Sequence, residues 1–98
     1  MNVRLQLKQQ EVIKQLASKF FENAKVFVFG SRADMSQKGG DIDLYIQTTK
    51  KDALLKAKIS FLCEFEKYFG EQKVDLLVDN GSKQKIIFDI AQKNGVLL

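Results

Sequence analysis

Two rhythms of apolar residues alternate along the chain. Between about Leu5 and Glu22, Val12, Ile13, Leu16, Ala17, Phe20 and Phe21 recur at helical spacing and leave Lys14, Gln15 and Lys19 on the other side. The spacing predicts an amphipathic first helix, with Asn23 as its terminator. Lys25 to Phe29, KVFVF, is too short for a helix and rich in β-branched and aromatic residues, which predicts a strand buried on both faces. Gly30-Ser31-Arg32 then punctuates the chain and predicts a turn or short helix.

From Asp41 to Gln47 the sequence DIDLYIQ alternates strictly and predicts a second strand. Lys51 to Tyr68 returns to the helical rhythm, with a stripe of Leu54, Leu55, Ile59, Leu62, Phe65 and Phe69 and with Gly70 as its C-terminal cap. Lys73 to Val78, KVDLLV, predicts a third strand. After the turn signature Asp79-Asn80-Gly81, Ser82 is placed to cap a last helix whose Ile86, Ile87, Ile90 and Ala91 recur at helical spacing up to Asn94-Gly95. Val96-Leu97-Leu98 is too apolar for a loose tail and is expected to join the core or a partner surface, and homo-oligomerisation is compatible with that reading. The order implies an α+β fold, a small mixed three-stranded sheet with helices packed on one face, in a single domain spanning residues 1–98.

Composition narrows the chemistry. No histidine is present and only one cysteine, which excludes histidine acid–base catalysis and zinc sites built from histidines or paired cysteines. Cys63 sits among apolar residues and is expected to be a buried, reduced thiol, and the cytoplasm is the expected compartment. No apolar run is long enough to span a membrane. The formal net charge of +4 comes largely from lysines scattered along helical stretches, so it does not by itself point to direct nucleic-acid binding. The eight phenylalanines fall within apolar runs, which favours a packed core over a base-stacking platform.

What remains for chemistry is carboxylate and glycine. Asp41 and Asp43, two apart on a strand, project to one side while Ile42 and Leu44 enter the packed side. Taken alone, such a pair can simply face solvent. A hard divalent cation would offset its repulsion most directly. Asp75 interrupts another apolar strand between Val74 and Leu76, where a carboxylate needs water or a counter-charge. All three aspartates converge only if the third strand lies beside the second, and that adjacency is what two-metal transfer to phosphorus requires. Gly30 and Ser31 end an earlier strand, where backbone N–H groups and a hydroxyl can hold phosphate oxygens.

Through FVFGSRADMSQKGGDIDLYI at residues 27–46 and VDLLV at 74–78, the chain resembles the minimal nucleotidyltransferases of the DNA polymerase beta-like superfamily. Nine residues separate Ser31 from Asp41. The resemblance implies a palm-like fold that binds ATP with two Mg2+ ions. It makes Asp41, Asp43 and Asp75 the metal ligands and catalytic acids, with Asp75 also the base for an incoming hydroxyl. Gly30 and Ser31 become holders of the β- and γ-phosphates, and Arg32 an added charge for phosphate or acceptor. It further implies a partner, a small all-helical HEPN-type toxin, to which such proteins act as antitoxins by moving AMP onto a tyrosine hydroxyl or by covering the surface. The chain departs from the family's habit after Gly-Ser-Arg-Ala, where Asp34 and Met35 replace a basic residue and a glycine, and at Gly40, where a serine often precedes the first aspartate.

Overall fold

A computed structural model of the protein describes residues 7–29, 42–70, 72–82 and 84–98. Within them the chain forms α1 (Leu7–Phe20), β1 (Lys25–Phe29), β2 (Ile42–Gln47), α2 (Leu54–Phe69), β3 (Val74–Asp79), α3 (Ile86–Asn94) and β4 (Val96–Leu97). The strands make one sheet in the order β3-β2-β1-β4. β1 runs antiparallel to both β2 and β4, whereas β2 and β3 are parallel. The parallel pair is possible because α2 carries the chain back to the starting end of the sheet.

Alternation along the strands divides the side chains between two faces. Val26, Val28, Ile42, Leu44, Ile46 and Leu76 enter a core completed by Ile13, Leu16, Ala17 and Phe21 from the first helical segment and by Ala57, Phe61 and Phe65 from α2. The rings of Phe61 and Phe65 stack in succession along α2, and Phe21 tilts against Phe61. The phenylalanines thus serve packing, as the sequence suggests.

The opposite face carries a second cluster of Tyr45, Phe88 and Ala91, flanked by Phe27, Phe29 and Leu77. The α+β class holds, with two refinements to the expected layout. A fourth strand joins the sheet, and α3 covers the face opposite α1 and α2 instead of sharing theirs. Aromatic area explains the second refinement. Phe27 and Phe88 each bring a ring within 6 Å of Tyr45, at 5.5 and 5.7 Å between centroids, so this face is itself apolar enough to bury a helix.

Several local expectations are corrected. α2 begins at Leu54, three residues beyond the expected start, because the segment before it is tied to the end of β3. The Asn80 side-chain amide donates to the Lys50 carbonyl, and the Lys51 ammonium donates to the Asn80 carbonyl. Its buried stripe is Ala57, Phe61 and Phe65, which turns Leu55 and Ile59 outward at 71% and 53% exposure. The same rotation exposes Cys63, two residues round the helix from Phe61, so the buried-thiol expectation fails. Ser82 does not cap α3; its hydroxyl and backbone N–H both donate to the Asn80 side chain, and Lys85 occupies the N-cap position. Ile86, Ile87 and Ile90 are exposed, since Phe88 and Ala91 supply the buried side of α3. Gly70 does end α2, at a φ of 69° that favours glycine, with its N–H donating to the Glu66 carbonyl.

The apolar tail is structural. Val96 faces Val28 and Leu97 faces Phe27 in β4, and the Leu98 N–H donates to the Val26 carbonyl. Gly95 permits this return, because a Cβ there would collide with the Ala91 carbonyl oxygen and crowd Phe27. Deleting Val96–Leu98 removes an edge strand and two partly buried core residues, Val96 and Leu98, and is expected to lower stability by about 2–4 kcal/mol. Thermal melts of the full-length and shortened chains check this; an unchanged Tm would contradict it.

Candidate functional site

The parallel register of β2 and β3 sets Asp43 directly beside Asp75. The same registers place Phe29 of β1 opposite Asp43. One row across the sheet therefore reads Phe29, Asp43, Asp75, the next Phe27, Tyr45, Leu77, and the third Lys25, Gln47, Asp79. All nine side chains stand on the face that α3 partly covers. Cover over the middle row leaves Asp43 half-buried and Asp75 exposed at the head of the two parallel strands.

Adjacent strands lie about 4.8 Å apart, so the two carboxylates repel one another unless a cation or donor group intervenes. The adjacency that the sequence leaves open is thus present for Asp43 and Asp75. Asp41, Gly30, Ser31 and Arg32 lie outside the described residues. Covalent order nonetheless joins Gly30 to Phe29, the cross-strand neighbour of Asp43, and Asp41 to Ile42, the neighbour of Val74.

Behind the acid pair, the third row forms a polar anchor that sequence reasoning missed. The Tyr45 hydroxyl donates to Asp79 Oδ2 at 2.6 Å and accepts from the Gln47 side-chain amide at 3.2 Å. Asp79 Oδ1 accepts the Gly81 N–H at 2.9 Å, so the carboxylate also organises the turn after β3. Burial, and then the bond to the Asp79 carboxylate, push the Tyr45 phenol up to about 12. The one available signal was the alternation of DIDLYIQ, which already put Tyr45 on the side of Asp43.

An α+β sheet in which an inner and an outer strand run parallel and present paired acids, with an antiparallel strand ending against them, defines the class of palm-like nucleotidyltransferase proteins. The chain matches the model of the family described as Polymerase beta, Nucleotidyltransferase over residues 11–98, and it belongs to that family. No curated protein matches the chain. The general chemistry of the family is transfer of a nucleotidyl group. Among the described residues no helix is long and apolar enough to cross a membrane.

Two outcomes follow from this geometry. Asp75 is exposed and faces a like charge, so Asp75→Asn is expected to leave Tm unchanged or raise it while weakening magnesium binding, read by thermal melts and calorimetric titration. A clear loss of stability would show that the carboxylate serves packing instead. For Tyr45, a phenol whose pKa is raised on folding stabilises the protein fully below its unfolded value of 10.0, and that contribution is lost as pH rises toward about 12. Tyr45→Phe is expected to cost about 1–2 kcal/mol at neutral pH and to flatten the alkaline decline of wild type, since two pH units correspond to about 2–3 kcal/mol. Urea melts of both proteins across that range decide the matter; parallel declines would contradict it.

Proposed function

We propose that the chain is a metal-dependent nucleotidyltransferase that moves AMP from ATP to a tyrosine hydroxyl of an all-helical HEPN-type toxin, and so acts in the cytoplasm as its antitoxin. The observation that supports the transferase reading is the Asp43–Asp75 register on parallel strands of a polymerase beta-type domain. Support for the acceptor is the resemblance of residues 27–46 and 74–78 to minimal nucleotidyltransferases.

The donor set suits magnesium. Asp43 and Asp75 are hard oxygen ligands on one face, one half-buried and one exposed, as a cation that keeps several waters requires. Asp41, Asp43 and Asp75 would hold two such ions, which when bound would neutralise phosphate charge and favour the phenolate form of the acceptor tyrosine. Backbone N–H groups at Gly30 and the Ser31 hydroxyl would hold the β- and γ-phosphates, and Arg32 would add charge there. Asp75, reachable from solvent, takes the acceptor's proton as the tyrosine oxygen bonds to the α-phosphorus and pyrophosphate leaves. α3 and the polar anchor at Tyr45 border this pair on the same face of the sheet.

A second reading, neutralisation of the toxin by contact alone, is favoured by the exposed Ile86, Ile87 and Ile90 on α3, which offer an apolar surface on the same side as the acids. Intact mass of the helical partner after incubation with ATP and magnesium separates the two. Under the transferase reading the partner gains the mass of one AMP, only with metal, and Asp75→Asn slows the gain by roughly 10²–10⁴-fold while nucleotide affinity falls far less. Tight binding of both partner and ATP without any mass gain would establish the contact reading.

A further inference from the structure

The sheet has an outer strand, β3, whose free side pairs with no other strand among the described residues. In the parallel ladder, the Ile42 N–H donates to the Lys73 carbonyl and the Thr48 N–H donates to the Asp79 carbonyl. Backbone groups alternate in direction along a strand, so Lys73, Asp75, Leu77 and Asp79 turn theirs toward β2. Val74, Leu76 and Val78 turn their N–H and C=O groups away from the sheet.

A groove of about 460 Å³ runs along this edge, bordered by Leu55 and Lys58 of α2, by Leu76, Leu77 and Val78 of β3, and by Lys85 before α3. Because it takes residues from both faces of the sheet, an occupant that fills it must straddle the edge, as an added β-strand does. Its charged lining is cationic, so the strand that fits is apolar and carries carboxylates. β3 itself, VDLLVD, has that character.

We propose that this edge pairs with the same edge of a second copy of the chain, antiparallel, about a two-fold axis at Leu76. Register decides the axis. Centred on Leu76, the pairing sets Leu76 against Leu76 and Val74 against Val78, and every outward N–H and C=O of these three residues finds a partner in the other copy. On the α3 face it sets Lys73 of each copy opposite Asp79 of the other, and Asp75 opposite Leu77. Centring the axis on Leu77 instead would oppose Asp75 to Asp79 twice and leave Val74 without a bonding partner in β3 of the second copy. The Leu76 register keeps the Asp75 side chains of the two copies diagonal to one another. Leu55 of α2, exposed in the single chain, flanks the joint. An all-helical protein has no strand to offer, and this proposal needs neither metal nor nucleotide.

Sedimentation velocity over a wide concentration range, combined with amide exchange followed by NMR, tests the pairing on the full chain without ATP or metal. The expected result is reversible monomer–dimer behaviour in which the amides of Val74, Leu76 and Val78 gain protection with concentration, while those of Asp75, Leu77 and Asp79 are protected throughout. Lys73→Glu, which opposes two carboxylates across the joint, is expected to weaken dimerisation roughly tenfold, and Leu55→Lys to weaken it also, each with an unchanged monomer fold by circular dichroism. A monomer at every concentration overturns the proposal. So does a dimer in which the outward amides exchange as fast as in the monomer, since that dimer uses another surface.

Discussion

The parallel pairing of β2 with β3 is the constraint on which the rest of the structure depends. It is the only strand pairing among the described residues that requires a crossover, and α2 supplies that crossover while closing the core over Leu44, Ile46 and Leu76. Its register brings Asp43 and Asp75 together at one end and Gln47 and Asp79 together at the other. Slipping the register by one residue would send Asp75 into the apolar core and Leu76 outward, so packing on one face enforces the arrangement of acids on the other.

The two ends of that pairing do opposite electrostatic work. At the head of the strands, Asp43 and Asp75 stand side by side, an arrangement whose like charge a divalent cation would offset. At the tail, Asp79 takes hydrogen bonds from the Tyr45 hydroxyl and the Gly81 N–H, which secures the register within a low-dielectric layer under Phe88. This anchor lies on the same two strands, two rows from the acid pair.

Much of this was legible in the chain itself, because period and punctuation are local. KVFVF, DIDLYIQ and KVDLLV gave the three main strands, and Gly70 marked the end of α2. What was not legible depended on partners distant in sequence. The start of α2 was set by Asn80, thirty residues from Lys50, and the exposure of Cys63 by which of two overlapping apolar stripes met the sheet. For α3, three isoleucines at helical spacing outnumbered Phe88, yet the ring contact with Tyr45 determined which side turned inward. Of the candidate site, the strand acids at Asp43 and Asp75 were found by type and spacing, and only the sheet could make them neighbours. Asp79 was missed because a turn-forming aspartate after an apolar run reads as punctuation.

Asp75 owes its accessibility to its place on an outer strand, and the same place exposes the unpaired backbone of Val74, Leu76 and Val78. These two facts pull against each other. An apolar edge left bare invites pairing with any extended chain, whereas permanent pairing through the Leu76 axis would hold Leu77 of the second copy against Asp75 and narrow the approach of an acceptor hydroxyl. A joint made of one short strand ladder and a few flanking side chains reconciles them. Such a joint is small by the standard of obligate interfaces, so in the proposed dimer it would form and open reversibly, covering the edge at rest and yielding to an acceptor under the proposed transferase activity.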